Sequence, residues 1–469
     1  MVARGETEVV VIGAGVSGLA TAYRLHARGH RVIVLERQVR IGGNAVSERI
    51  DGFLMEHGPS SVNALLPRAR QLSRILGLAA EECELTAEVR QRYLVGNGRL
   101  HAIPLHPFGL LTSSYLSWRA RLRSLAEPLV PPRRGQEEET VAAFWRRRFG
   151  REFERGVIDP LVGGLFAGRS AELSMPAVFP KMVELERRHG SITRAMLARR
   201  RFGSTMPGRR LFSWRDGVAS LPRALAAALG DAVRTGVTVR RIARAADGFR
   251  LDLGDRGNLR SRVVVLATQP HVAGALLETL DVPAAEAARA IPAPPIAVVF
   301  MGLARRQVAH PLDGIGCLVP GREGRPVNGI LFCSSMFPDR APPGRVALAV
   351  YLGGARSPEL ARLPAAELMA VARGEAAELL GIEGEPEITR IRQWPRGLPQ
   401  YLIGHPTRVR TILGTTDRQP GLFVTGNYLG GLSVAHCVAQ AERTAAKVAA
   451  HLAGSAPPAA GRLLAGRAG

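Results

Sequence analysis

Three glycines decide most of what this chain can fold into. Gly13, Gly15 and Gly18 stand between VVVI (9–12) and a stretch of helical periodicity from about Val16 to Ala27, which Gly29 closes. The apolar run is of the kind buried in a parallel sheet. At such a junction Gly13 permits the tight turn and Gly15 lets the backbone approach a pyrophosphate. Gly18 lets the helix pack closely on the sheet. Ala14, Val16 and Ser17 complete the turn and the helix start, whose amides stabilise phosphate charge. Glu36, with Arg37 beside it, ends a second apolar strand, VIVLE (32–36). About 20 residues beyond the glycines a carboxylate accepts hydrogen bonds from ribose hydroxyls, and its charge disfavours the 2′-phosphate of NADP.

Two further pieces read as parts of the same sheet. Val233 to Thr268 is rich in strand signals and ends in RVVVLAT, and GLFVTGN (421–427) leads into a helix from about Val434 to Leu452. One domain holds all three pieces only if the chain leaves and returns twice, and 469 residues are enough for more than one core. The expected class is α/β: a Rossmann-like, dinucleotide-binding domain assembled from 1–75, 217–290 and 396–455. An α+β domain is expected from 76–104 and 291–395. A helical insertion, mostly basic and rich in leucine and aromatics, occupies 105–216, and 456–469 read as a flexible tail.

Composition narrows the function classes. A hydrophobic fraction of 46% and a charged fraction of 22% are those of a soluble globular protein. No run of about 20 uncharged apolar residues exists, so a transmembrane helix is not expected. MVARGETE passes straight into a strand, leaving no room for a signal peptide, so a cytoplasmic location is expected. The net charge of +23 invites a nucleic-acid reading. Against it stand the absence of any nucleic-acid module and an aromatic fraction of 5%, thin for stacking platforms. Arginine supplies nearly all the positive charge, the only lysines being Lys181 and Lys447. Its clusters, Arg119 with Arg121 and Arg123, Arg146 to Arg148, and Arg199 to Arg201, suggest a local basic face for an anionic substrate or an anionic membrane. Cys83, Cys317, Cys333 and Cys437 are widely spaced and point to neither disulfides nor a metal site. The sequence is neutral on self-association, and a homodimer stays open.

The segment after Glu36 separates FAD from NAD. Gly42-Gly43, Asn44 and Ser47 resemble the second glycine turn that wraps the FAD pyrophosphate in the flavin amine-oxidase superfamily. EHGPSS (56–61), with Gly58, Pro59, Ser60 and Ser61, resembles that superfamily's turn beneath the isoalloxazine ring. Val239 matches the residue whose backbone contacts the adenine. Gly426-Asn427 and Leu432-Ser433-Val434 match the C-terminal turn whose amides face the flavin pyrimidine. The resemblance implies bound FAD.

Other segments, spread over nearly the whole chain, resemble the protoporphyrinogen oxidase family. These are IDPLVGGLFAGRSAELSM (158–175), FPKMVELERRHGSI (179–192), ILFCSSMFPDRAP (330–342), RQRYLV (90–95) and LFSWRDGVASLP (211–222). Carried over by position, Arg92 matches the arginine that pairs with a substrate propionate, and Phe332 the aromatic on a pyrrole ring. Gly164 matches a glycine that lets the backbone approach the macrocycle, and Leu312 lies on the opposite wall. Ser60 replaces the asparagine of plant-type members and reaches less far. The resemblance implies oxygen-dependent, six-electron oxidation of a porphyrinogen without an assigned acid or base, and a helical region that makes a peripheral contact with anionic lipid.

Amine oxidation is disfavoured. No lysine lies between Lys181 and Lys447, and Ser433 stands where an aromatic cage needs tyrosine. No cysteine lies between Cys333 and Cys437, so the FAD is expected to be unlinked. Coproporphyrinogen III oxidation, another FAD-dependent desaturation and a catalytically silent FAD-fold scaffold remain the alternatives.

Overall fold

The computed structural model describes residues 6–454 except 106–108, 110–112, 134, 136 and 202–210. The tail 456–469 and the side chains of Arg199 to Arg201 lie outside the described residues. Strand Glu6–Ile12 is central to the first sheet. It pairs in parallel with Val32–Leu35 on one side and Asn258–Leu266 on the other, in the order 233–234, 32–35, 6–12, 258–266, 248–252, 241–245. Gly248–Asp252 runs antiparallel to the first half of Asn258–Leu266, and Leu422–Val424 joins its second half in parallel. Val9, Val10 and Val11 are fully buried, which explains an apolar run without alternation. Val9 and Val11 pack under helices Val16–His26 and Val434–Gly454, while Val10 and Ile12 face helices Pro270–Leu277 and Val282–Arg289. Two loops therefore do leave and return, as the three sequence pieces require.

A second, mostly antiparallel sheet runs 388–394, 296–304, 345–353, 327–332, 314–318, 91–96, 99–104. Gln91–Gly96 enters it in parallel beside Gly314–Leu318 and forms a hairpin with Arg99–Pro104. Strand alternation gives the sheet two faces. Tyr93, Cys317, Ile330, Val350 and Val299 form the outer face, buried under Leu368, Ala372 and Ala376 of helix Ala365–Leu380. Their neighbours in sequence, Arg92, Leu318, Leu331, Tyr351 and Val298, form the inner face, which looks toward the hairpin Ser47–Ile50 and Phe53–Glu56.

Within the expected insertion 105–216, the described residues from Trp118 to Arg201 are mostly helical around a core of Phe144, Trp145, Ile158, Leu173 and Leu185, whereas Leu211–Trp214 is a strand paired with Val62–Asn63 and Glu82–Glu84. The expected basic face is not free along Arg146 to Arg148, a correction with a simple cause. Arg146 pairs with Glu154, Arg147 with Glu139 and Glu186, and Arg148 with Glu127 and Glu186. Arg148 and Glu127 are both fully buried. Burial of that pair is tolerable because Glu127 also accepts from Ser191 Oγ (2.5 Å) and the amides of Ile192 (3.1 Å) and Thr193 (3.0 Å), while Arg148 donates to the carbonyls of Val130 and Gly190. Among the described residues no helix is long and apolar enough to cross a membrane.

Candidate active site

The two glycine turns meet. Gly13 has φ +109°, and a Cβ there would lie 2.7 Å from the Ala267 carbonyl oxygen. A Cβ on Gly43 would lie 3.2 Å from the Gly15 Cα, and the Gly42 amide donates to the Ala14 carbonyl at 2.8 Å. Gly18 is needed for packing, since a Cβ there would strike the Gly13 oxygen at 1.9 Å. Helix Val16–His26 begins beside both turns with no side-chain cap and no acidic residue in its first turn. Ser17 is buried, as are Ala14 and Val16. The result is a backbone-lined cradle suited to a diphosphate.

Glu36 does more than the sequence assigned to it. One carboxylate oxygen accepts the Ala14 amide at 2.8 Å and the other the Gln38 amide at 2.9 Å, so it braces the first glycine turn and keeps acceptor capacity for a ribose. Arg37 beside it is exposed. The chain from 234 to 239 runs along this end: Val237 donates to the Glu36 carbonyl at 2.8 Å, and Val239 is half-buried and outside any strand. On the other side the turn 58–61 packs against the second glycine turn, since a Cβ on Gly58 would lie 1.9 Å from the Asn44 oxygen. Pro59, Ser60 and Ser61 are half-buried. Glu56 anchors that turn. It accepts from Ser47 Oγ (2.5 Å) and the Val218 amide (2.8 Å), lies 3.8 Å from Arg340, and burial pushes its carboxyl up to about 7.

The C-terminal turn is held by a tyrosine that sequence reading missed. Gly426 and Asn427 follow strand Leu422–Val424, and Leu432 and Ser433 precede Val434, where the long helix starts. Ser433 Oγ accepts the His436 amide at 3.3 Å, as a helix cap does. Tyr401 donates to the Asn427 carbonyl and accepts the Gly431 amide at 3.1 Å, closing the turn from below. His405 stacks on the Tyr401 ring at 4.1 Å and 13°, and burial pushes its imidazole down to about 4, so it stacks as a neutral ring. Tyr401 sits in LPQYLIGH (398–405), which carries no strand or helix periodicity.

Between the inner face and helix Asp159–Phe166 lies the expected substrate wall. Arg92 is half-buried on the inner face of the sheet. Among the described residues its guanidinium has no hydrogen-bond or ion-pair partner, and burial alone lowers its pKa. Gly164 abuts the wall, since a Cβ there would lie 2.4 Å from Leu318 Cδ2. Two expected contacts face elsewhere. Phe332 is fully buried on the outer face, 6.2 Å from Tyr93 and 5.5 Å from His310, because alternation from Ile330 returns it to that side. Leu312, 3% exposed with φ +57°, packs in the same outer core. Leu331 and Tyr351 stand on the Arg92 side instead, and only strand alternation within RVALAVYLGG could have picked out Tyr351. Cys333 is buried, with its thiol pushed up to about 12.

Residues 16–449 match the family of flavin-containing amine oxidoreductases. The chain is 31% identical to protoporphyrinogen oxidase 1 of Arabidopsis thaliana, covering 94% of this chain and 88% of that one. It is 30% identical to coproporphyrinogen III oxidase of Propionibacterium freudenreichii, over 94% and 90% of the two chains. A solved structure from Exiguobacterium sp. 255-15 superposes with a TM-score of 0.83 at 23% identity, over 96% of this chain and 100% of that one.

Proposed function

The chain belongs to the flavin-containing amine oxidoreductases and, within them, to the protoporphyrinogen oxidase family, and on that premise we propose that it oxidises protoporphyrinogen IX to protoporphyrin IX with O₂ as acceptor. The observation that carries the proposal is Arg92. A half-buried guanidinium without a protein partner, on an otherwise apolar wall, is open to an anionic ligand that supplies the counter-charge. An arginine fork meets a carboxylate bidentately. Gly164 is exposed on the helix beside this wall, where its backbone is open to a macrocycle, and Leu318, Leu331 and Val298 make the wall apolar.

The cofactor of this reading is FAD, held without a covalent link. Its diphosphate suits the cradle at Gly13, Gly15, Gly42 and Gly43, its ribose the free acceptor capacity of Glu36, and its adenine the backbone at Val239. The ring end suits the turns Gly58–Ser61 and Gly426–Val434, where amides at a helix start favour negative charge. Bound there, FAD supplies a two-electron acceptor that O₂ regenerates, three rounds for each six-electron oxidation. The residues orient the substrate and exclude water, which is catalysis by positioning. Cys437 does not offer a linkage: it is buried in its helix and its thiol is pushed up to about 11.

Helix Trp118–Leu125 and the turn after it support a peripheral membrane contact. Trp118, Leu122, Leu125 and Leu129 recur at helical spacing and are 65%, 57%, 61% and 80% exposed. Arg119 lies over the Trp118 ring at 5.3 Å, a pairing suited to an anionic lipid interface.

The test offers purified protein protoporphyrinogen IX and coproporphyrinogen III side by side and follows porphyrin fluorescence. Faster rise with the first is expected. Faster rise with the second moves the enzyme to the coproporphyrin branch, which the relative from P. freudenreichii makes the second reading. No rise with either, in protein carrying FAD, overturns the proposal.

A further inference from the structure

Trp394 joins the second sheet to both cofactor turns and has no place in the reading above. It ends strand Ile388–Trp394, the edge of that sheet, opposite Ile296. Ile391 packs in the outer core and Ile388 against the hairpin, so alternation puts Trp394 on the inner face, which carries Arg92. Its indole N–H donates to the His57 carbonyl at 2.6 Å, immediately before the turn Gly58–Ser61. His57 is buried and held twice more. Its amide donates to the Val46 carbonyl at 2.9 Å, and its Nε2 lies 2.7 Å from a Glu48 carboxylate oxygen. Arg40 lies over the Trp394 ring, 5.7 Å from its centroid, and donates to the Gly43 carbonyl at 2.6 Å. Arg392, two residues back on the same face, lies over that ring at 5.5 Å. One side chain thus meets the ring-side turn directly and, through Arg40, the second glycine turn.

We propose that Trp394 is a positioning residue for the oxidation, setting the spacing between the turn Gly58–Ser61 and the sheet face that carries Arg92. The inference rests on the porphyrinogen reading and supplies the link between its two halves. Arg92 is assigned to hold a substrate carboxylate on the sheet, and the turns at Gly43 and Gly58 to hold the cofactor. Neither assignment fixes how the sheet stands relative to the turns, and transfer between two bound partners is steeply sensitive to that placement. The Trp394 bond supplies it. A hydrogen bond is directional, and this one runs from a β-strand to a residue already held at its amide and its side chain. A site held from a strand is more precise than one held from loops alone.

The test is Trp394→Phe in the flavin-loaded enzyme, which keeps a ring for Arg40 and Arg392 and deletes the N–H. Two rates are compared without oxygen: reduction of the bound flavin by protoporphyrinogen, and its reduction by dithionite, which needs no seat on the sheet. The porphyrinogen rate is expected to fall about 10- to 100-fold, the cost of a small misplacement, while the dithionite rate stays the same. Affinity of the apoprotein for FAD should fall about 3- to 10-fold, the loss of one net hydrogen bond. Weaker FAD binding with an unchanged porphyrinogen rate would make Trp394 a cofactor anchor only and overturn the positioning role. An equal loss with both reductants would place the fault in the flavin itself and overturn it as well. Rates and affinity all like wild type would overturn it altogether. A wild type whose flavin neither protoporphyrinogen nor coproporphyrinogen reduces sinks the functional reading instead, and the FAD affinity of Trp394→Phe still decides whether the N–H holds the turn.

Discussion

A Cβ on Gly164 would stand 2.4 Å from Leu318 Cδ2, so the helix and the sheet wall touch where the macrocycle is proposed to bind. Leu318 Cδ2 is the far end of a flexible side chain and can swing aside. Gly164→Ala is therefore expected to stabilise helix Asp159–Phe166 by roughly 0.5–1 kcal/mol. The same change should raise KM for the porphyrinogen. Melting curves and steady-state kinetics check the opposed signs; a lower melting temperature with unchanged KM contradicts them.

Arg92 carries a charge that nothing in the described protein balances. Replacing it with alanine removes a half-buried cation that has no protein partner, so stability should change little. Loss of a charged hydrogen bond worth about 1.5–3 kcal/mol should raise KM about 10- to 150-fold. Arg92→Lys should recover only part, since an ammonium lacks the fork. The decisive comparison is between free acid and dimethyl ester porphyrinogen: a variant that loses equally on both refutes the carboxylate pairing.

Tyr401 ties the Asn427 carbonyl to the Gly431 amide. Tyr401→Phe leaves the ring on His405 and breaks only those bonds, so flavin affinity should fall about 5- to 15-fold, the worth of about 1–1.5 kcal/mol. Reconstitution of apoprotein with FAD measures it. His405→Phe should behave as wild type because the imidazole serves as a neutral ring. Full affinity in Tyr401→Phe would show that the turn holds its shape without the tyrosine.

Glu56 sets a pH dependence of stability. Its carboxyl is raised from 4.5 to about 7 by burial, so between those values the native state keeps a proton that the unfolded chain has released. Stability therefore falls as pH rises from about 4.5 to about 7, by roughly 3 kcal/mol, and then levels. Glu56→Gln should flatten that slope. Urea unfolding at pH 5 and pH 8 gives the comparison, and equal slopes in the two proteins would rule Glu56 out as the cause.

The exposed stripe Trp118, Leu122, Leu125 and Leu129 should carry membrane binding. Leu122→Asp with Leu129→Asp is expected to abolish co-sedimentation with anionic vesicles while leaving activity in detergent intact. Binding of the wild type should weaken with salt. Equal sedimentation of the double variant would remove this surface from consideration.

The sequence by itself determined the parts whose physics is local. Gly13, Gly15, Gly18 and Gly42-Gly43 announce two tight turns because only glycine tolerates the φ and the close approaches found there. The run Val9–Ile12 announces a central strand because burial on both faces removes alternation. Helix Val16–His26 and helix Val434–Gly454 followed from periodicity. Tertiary structure decided what depends on two distant segments at once. Phe332 went to the outer core and Leu331 to the inner face because one residue of strand register moves a side chain to the other face. Arg146 to Arg148 lost their free charge to Glu127, Glu139, Glu154 and Glu186, partners that no charge count reveals. Tyr401 acquires its importance from what its hydroxyl meets, the Asn427 carbonyl and the Gly431 amide. That is a property of the assembled interior, where a polar group's cost or benefit depends on its neighbours rather than on its own chemistry.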